Sequence, residues 1–556
     1  MIVNDIMKKD IITISPDTRI GRVKKLLLEN TLPTIPVTID GRLVGIIYSC
    51  ELLKVKRSNF KLPAKEYMDR YFLTVRVQTP LQKVEDLMVK YNLISLPVLT
   101  GNKLTGVVYK EDMLISSVSY IYNNELVKTD KNVFNIKDRL NDLPQEYLSI
   151  IKRVSVIFNK YNIKVYLIGG MVRNIILGRE SQDIDFVIEG TVVEEGFKRI
   201  ISSIAKEING KCKYNLRFKT GSIMLSSGLN LDFAVARKEY YPFPGSLPEV
   251  KVANLKDDIW RRDFTINTLI LDISSVNWGN IYDYLNGNSD LNNKLIRTLH
   301  CFSFLDDPTR IIRGIRQAVE LDFEIEEETI RLMKEALIYG FFPGVMKDRI
   351  LKELKLLFTK KINSRFIKYF KQLPVMKLID IDVNLNNNII NKLYKLEDIL
   401  AYFDEKNYNV KNWLLRIAVI INDNISKKKL SDLNIAQNEK NILTFSNRNE
   451  YIRKINNTNS LIELADILKK LSEEKIILLM ISDKKLVKKI KHYYDNLIRI
   501  ELIIDGNDLI NLGLKPGPNI KNILNQVWAE KVKGELKNYQ EELDYAAKLI
   551  SENERS

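Results

Sequence analysis

With 556 residues the chain has room for several domains, and 45% hydrophobic with 28% charged residues is the ordinary balance of globular protein. A net charge of +16 points to a polyanionic partner, nucleic acid first, although a lysine-rich solvated surface has the same effect. Three scattered cysteines, Cys50, Cys212 and Cys301, exclude a disulfide framework. Met1–Ile20 lacks the apolar core of a signal peptide, and no apolar run approaches the ~18 residues of a membrane span, so the chain reads as cytoplasmic with no membrane partner. The first predicted elements come twice. Asp5-Ile6-Met7 returns as Glu66-Tyr67-Met68, Leu32 to Val37 as Leu93 to Val98, and Gly41 to Ile47 as Asn102 to Val108, each 61 positions later. A constant offset over three landmarks means two copies of one unit, each a helix, a strand, a turn, a second strand and a closing helix, that pack on each other.

This repeat, residues 1–120, resembles a tandem pair of CBS domains. In that family Gly-x-x-Thr/Ser-x-x-Asp sets an acidic side chain against an adenosine ribose. The corresponding stretches run from Gly45 to Glu51 and from Gly106 to Asp112, with Tyr48 and Tyr109 at the hydroxyl position. Glu51 and Asp112 are therefore the candidate ligand residues, Asp112 the better one. An adenine-nucleotide site and a structural or dimerising module, giving a homodimer, both fit.

Residues 121–150 read as a helical connector, and 151–275 alternate helix and strand. From about residue 290 onward the chain is almost wholly helical, broken near Gly340–Gly344 and by a turn-rich element from Gly506 to Pro518. Four stretches carry chemistry. In the first, the strand-like run Val165–Ile168 meets Gly169-Gly170-Met171-Val172-Arg173, and Asp183-Ile184-Asp185 follows. Glycines before a helix let backbone N–H groups approach a phosphate. Aspartates at i and i+2 of a strand share a face, which suits a hard divalent cation. In the second, Asp232 lies in another strand-like run and is a candidate third carboxylate or a surface residue; an extended loop, 237–258, follows. The third is Arg261-Arg262-Asp263-Phe264-Thr265-Ile266-Asn267. The fourth is Asp306-Asp307-Pro308-Thr309-Arg310, with Arg313 and Arg316 beyond. Asp307 and Pro308 predict an N-cap and a first helical position. Arginines at i+3 steps line one side of that helix, where they meet phosphates or stand as a solvated basic face.

In this order the four stretches resemble the class II tRNA nucleotidyltransferase and bacterial poly(A) polymerase family. The resemblance implies a mixed α/β polymerase-beta-like head over 151–275, a neck with a base-reading helix over 276–345, and an all-α, tRNA-binding body and tail over 346–556. It implies Mg²⁺ on Asp183 and Asp185. Gly169, Gly170 and Arg173 would hold the triphosphate, and Arg262, Asp263 and Asn267 the ribose and phosphates. Asp307 and Arg310 would read the base, supported by Arg313 and Arg316. The implied reaction adds CCA, or part of it, to a tRNA 3′ end from CTP and ATP, releasing pyrophosphate. The CBS fusion leans toward addition of the terminal A alone. Poly(A) synthesis on general RNA is the alternative enzyme reading. A CBS adenine-nucleotide sensor with a degenerate transferase is the alternative from another class. The two histidines, His300 and His492, lack metal-ligand spacing and read as structural.

Overall fold

The computed structural model describes the whole chain except residues 30–31, 33, 49–51, 53–54, 56, 92, 110–111, 114–132, 182, 191–192, 216–218, 241–247, 340–345, 422–428, 430–431, 459–460, 498–499, 533 and 556. Glu51, the residue 340–344 break and much of the connector lie outside the described residues. The chain divides into two compact units. The first is Met1–Glu353 with Lys368–Ile379, the second Leu354–Ile367 with Asp380–Ser556.

In the first unit, β1 (Thr34–Ile39), β2 (Arg42–Tyr48), β3 (Val75–Arg76), β4 (Ser95–Thr100) and β5 (Lys103–Tyr109) form one sheet in the order β1-β2-β5-β4-β3. The two copies of the repeat join at Arg42 opposite Lys103, the same position in each. Thr34 and Ser95, again equivalent, share a hydrogen bond of 2.7 Å. Each copy lends its leading segment to the other. Lys8 bridges to Val107, and Asp69 to Ile46. A Cβ on Gly106 would meet Met7 Sδ at 2.7 Å, and one on Gly45 would meet Met68 Sδ at 2.7 Å. Glycine recurs at that step because the methionine of the other copy occupies the space a side chain would need.

The second sheet of this unit takes β6 (Val133–Asn135), β7 (Lys164–Ile168), β8 (Asp183–Glu189), β9 (Lys211–Asn215), β10 (Thr220–Met224) and β11 (Asn230–Val235). The short β12 (Arg237–Tyr240) and β13 (Glu249–Val252) pair separately, and β14 (Ile270–Asp272) and β15 (Asn280–Tyr282) complete the large sheet in the order β6-β15-β14-β7-β8-β11-β10-β9. Its one parallel pair is β8 with β11, and the register sets Asp185 beside Asp232 and Phe186 beside Phe233. The two phenylalanine rings stack at 4.7 Å and 6° under the sheet, with Phe158 of the Gln145–Lys160 helix 6.2 Å from Phe233. A one-residue slip would put the aspartates into that apolar layer, so burial of the phenylalanines holds the carboxylates in line on the opposite face.

Of the predicted loop over 237–258, residues 241–247 lie outside the described residues, and the rest forms two short antiparallel strands followed by a helix. Arg237 faces Val252 and Tyr240 faces Glu249 across the β12–β13 pair, and Asn254 caps the Leu255–Trp260 helix by accepting from Asp257 N at 2.8 Å. The Asn side chain satisfies a backbone donor that a loop would leave to water. The fourth stretch forms the Thr309–Leu321 helix, one residue later than the proline suggested. Asp307 still closes its start, its Oδ1 accepting from Thr309 N at 3.1 Å. Gly314 brings this helix against the third stretch, for a Cβ there would lie 2.9 Å from the Phe264 ring.

The second unit is helical. Arg416 on the Asn412–Ile421 helix is buried against Glu397 of the Asn387–Glu405 helix, at 2.7 and 2.8 Å, and donates to the Phe358 carbonyl at 2.7 Å. Towards its C-terminus, Ile504, Leu509, Ile523, Val527, Ala546 and Ile550 form a core in which the fully buried Glu542 accepts from Ile503 N and Ile504 N and pairs with Lys531. No helix among the described residues is long and apolar enough to cross a membrane.

Candidate active site

Strand β7 ends at Ile168, and Gly169 turns the chain into the Gly170–Leu177 helix. Gly169 has φ +81° and ψ −143°, a region open essentially to glycine alone, and a Cβ there would stand 3.2 Å from Asp185 Oδ2 and 3.5 Å from Arg262 Nη1. The turn, the Asp185 carboxylate and the Arg262 guanidinium thus converge. Asp183, Asp185 and Asp232 share one face of the β8–β11 pair. Burial pushes the Asp185 carboxyl up to about 6; Arg262 opposes that, and the charges of Asp232 and Asp183 add to it. The face therefore concentrates negative charge that Arg262 only partly balances.

Arg262 is held by a residue that the sequence reading missed. Asp258 has no exposed surface, and its Oδ2 accepts from Arg262 Nη2 at 3.0 Å while its Oδ1 accepts from Arg261 Nε at 2.8 Å and from Arg237 N at 3.2 Å. Burial alone would raise Asp258, yet Arg261 and Arg262 hold it below the usual carboxylate value. Glu239 ties Arg237 and Arg261 into the same group, at 3.0 and 3.3 Å. The i, i+4 spacing of Asp258, on the Leu255–Trp260 helix, and Arg262, just past its end, was the available signal.

A second network joins three of the four stretches. Arg173 folds back from the Gly170–Leu177 helix and donates to Asn174 Oδ1, to Asn267 Oδ1 at 2.9 Å and to Gln317 Oε1 at 3.3 Å. Asn267 donates to Asp263 Oδ1 at 2.8 Å, and Arg313 donates through Nε and Nη2 to Asp263 Oδ2 at 2.9 and 2.7 Å. Burial works to raise Asp263, but Arg313 and the Asn267 hydrogen bond hold it well below the usual carboxylate range. Arg313 also meets Glu353 at 3.5 Å, and Arg316 meets Glu353 and Glu320 at 3.5 and 3.7 Å. Of the arginine row, Arg313 and Arg316 thus meet acids of the protein itself, Arg313 on Asp263 and both on Glu353, which the Lys347–Phe358 helix carries. Gln317 and Glu353 were invisible beforehand, since nothing local in the sequence marks them.

Asp307 and Arg310 are both buried. Arg310 donates to Ser303 Oγ at 2.8 Å and to the Arg261 carbonyl at 2.6 Å, which ties this pair to the third stretch. Asp112 stands apart in the repeat. Its Oδ2 accepts from Tyr109 N at 3.0 Å and its Oδ1 meets Lys8 Nζ at 3.4 Å. Burial, then the Asp112 charge, pushes the Tyr109 hydroxyl up to about 12.

Several stretches of the chain match known protein families. Residues 165–297 match the poly(A) polymerase head domain, 3–58 and 64–118 the CBS domain, and 425–547 the tRNA nucleotidyltransferase domain 2. The chain therefore carries a head domain of the poly(A) polymerase type, a CBS pair and a segment similar to tRNA nucleotidyltransferase domain 2. It is 28% identical over 575 residues to the A-adding tRNA nucleotidyltransferase of Geobacter sulfurreducens, covering 98% of this chain and 64% of that protein. It is 29% identical over 429 residues to the A-adding tRNA nucleotidyltransferase of Aquifex aeolicus, covering 76% and 50%. The chain thus spans between half and two thirds of the length of these two relatives. Among solved structures, the Thermotoga maritima CCA-adding enzyme complexed with tRNA matches with a TM-score of 0.59 at 24% identity, over 75% of this chain and 99% of that one. A CCA-adding enzyme in apo form II matches with a TM-score of 0.60 at 25% identity, over 76% and 99%.

Nucleotidyltransferases with a head domain of this type generally use a divalent metal. Among the described residues no group of three or more His, Cys, Asp or Glu side chains forms a ready ligand cage. The all-oxygen donor set of Asp183, Asp185 and Asp232 nevertheless fits a hard cation that takes one or two carboxylates and completes its shell with phosphates and water.

Proposed function

We propose that this chain transfers a nucleotide from a nucleoside triphosphate to the 3′ end of tRNA, and that the nucleotide is the terminal A. The observation that carries the reading is the line of Asp183, Asp185 and Asp232 beside the Gly169 turn and Arg262. The names of the relatives support A as the added base. In the reaction the tRNA 3′-hydroxyl oxygen bonds to the α-phosphorus, the bond from that phosphorus to the bridging oxygen breaks, pyrophosphate leaves and the hydroxyl proton is released. Asp183 and Asp185 would hold Mg²⁺, with Asp232 alongside, and the bound ion would neutralise triphosphate charge and acidify the attacking hydroxyl. The amides that follow Gly169 and the Arg262 side chain bind the phosphates, and Asp258 keeps Arg262 in place. Asp263, Asn267 and Arg173 form the wall that orients the ribose. Asp307 and Arg310 meet the base edge. Most of the rate enhancement then comes from positioning and electrostatics. The helical second unit grips the acceptor arm, and the CBS pair takes an adenine nucleotide beside Asp112 and forms a homodimer.

The test supplies tRNA transcripts that end before CCA, after CC or after complete CCA, with one nucleoside triphosphate at a time. A single A added only to the CC end is the expected result. Unlimited A addition to unstructured RNA would favour poly(A) synthesis instead, and no addition at all would sink the reading.

A further inference from the structure

Both oxygens of the Asp307 carboxylate are already engaged. Oδ1 accepts from Thr309 N at 3.1 Å and from the Thr309 hydroxyl at 2.6 Å, while Oδ2 accepts from Arg349 Nη2 at 2.5 Å. Arg349 comes from the Lys347–Phe358 helix, 42 positions further along the chain, and no sequence motif announced it. Its other terminal nitrogen, Nη1, is shielded from solvent and has no hydrogen-bond partner among the described residues. Shielded donors without acceptors are rare in folded proteins, so such a donor marks a place where an acceptor belongs. Oδ2 keeps one lone pair, so a ligand amine that donates to it must lie against the Arg349 guanidinium.

We propose that Arg349 selects adenine as the incoming base by donating from Nη1 to N7 while the exocyclic amine donates to Asp307 Oδ2. The chemistry separates the two candidate bases. Adenine presents an acceptor, N7, beside its amine; cytosine presents its amine with a carbon-bound hydrogen in that place. An arginine fixed on the same carboxylate therefore rewards adenine and leaves a desolvated donor unmatched against cytosine. In this pose the ring nitrogen on the other side of the amine, an acceptor that both bases offer, is left to Arg310, which therefore does not tell them apart. This inference rests on the transfer reaction proposed above and deepens it to a preference for adenosine triphosphate at the same site.

The experiment measures single-nucleotide addition to a tRNA ending in CC, with ATP, 7-deaza-ATP and CTP, on the full-length chain and on Arg349→Gln and Arg349→Lys. The unsubstituted chain is expected to use 7-deaza-ATP with kcat/KM about tenfold below ATP, the value of one lost hydrogen bond to a charged donor. In Arg349→Gln, ATP is expected to fall to the 7-deaza-ATP level, and the preference for ATP over CTP to shrink with it. Arg349→Lys is expected to recover part of the difference. A merely structural role would slow ATP and 7-deaza-ATP in proportion and leave their ratio standing in Arg349→Gln, which overturns the proposal. Equal use of ATP and 7-deaza-ATP by the unsubstituted chain overturns it without any variant. Failure of the unsubstituted chain to add any nucleotide would overturn the transfer reading itself, and this inference with it.

Discussion

Asp185→Asn removes one charge from the carboxylate line and keeps the side chain's shape. In the folded chain the Asp185 carboxyl is pushed from its ordinary 3.8 up to about 6, chiefly by burial and with Asp232 and Asp183 adding to the rise. A folded-state value above the unfolded one means that ionised Asp185 opposes folding. The penalty is absent below pH 4, grows as the pH rises through the interval to 6, and is complete above it. At 1.36 kcal/mol per pH unit the gap corresponds to about 3 kcal/mol, and water reaching the half-buried group leaves about 1–2 kcal/mol. Asp185→Asn is therefore expected to raise Tm at pH 8 by about 2–4 °C per kcal/mol recovered, with the gain closing near pH 4. Mg²⁺ should raise the Tm of the unsubstituted chain at pH 8 and do little for the variant. Nucleotide addition should fall by more than about 10²-fold in the same variant. Thermal unfolding at pH 4.5, 6 and 8, with and without Mg²⁺, checks the stability side, and single-turnover addition to tRNA checks the rest. A variant less stable than the parent at pH 8, or a gain independent of pH, would refute the reasoning.

Gly169→Ala should cost about 1–3 kcal/mol from the glycine-only backbone conformation and push on Asp185, so a lower Tm should accompany an activity loss beyond what the lower folded fraction explains. Asp258→Asn should free Arg262 near the carboxylates and raise the KM for the triphosphate more than it lowers kcat; an unchanged KM counts against Asp258 as the anchor. Asp263 is held well below its ordinary value, so its contribution is present above pH 4 and lost as the pH falls below that. Asp263→Asn should therefore narrow its stability deficit toward pH 3 in urea titrations, whereas a deficit that stays constant with pH would contradict the Asp263–Arg313 assignment.

Much of the site could be read from the chain because its parts are local. Gly169-Gly170 at a strand end and Asp183-Ile184-Asp185 within a strand follow from period-two alternation and from the conformations that only glycine reaches, and both concern neighbours in sequence. The repeat was legible for a similar reason, since two copies at a fixed offset require nothing beyond comparison of the chain with itself. The pairing of β12 with β13 was missed because the strands are four residues each and carry charged side chains, Arg237, Lys238 and Glu239 among them, that resemble a solvated loop until Asp258 is placed beneath them.

Sequence alone determined which residues carry charge, where the backbone turns and which aspartates share a face of one strand. The fold decided how distant charges meet. Asp232 came level with Asp185 through the parallel register of two strands, Arg313 and Arg316 were turned onto Asp263 and Glu353, and Arg349 was brought onto Asp307 from another helix. The difference has one physical cause. Backbone geometry acts over a few residues and is written in their order, whereas an ion pair or a shared lone pair depends on distances of about 3 Å that exist only once apolar burial has packed remote segments together.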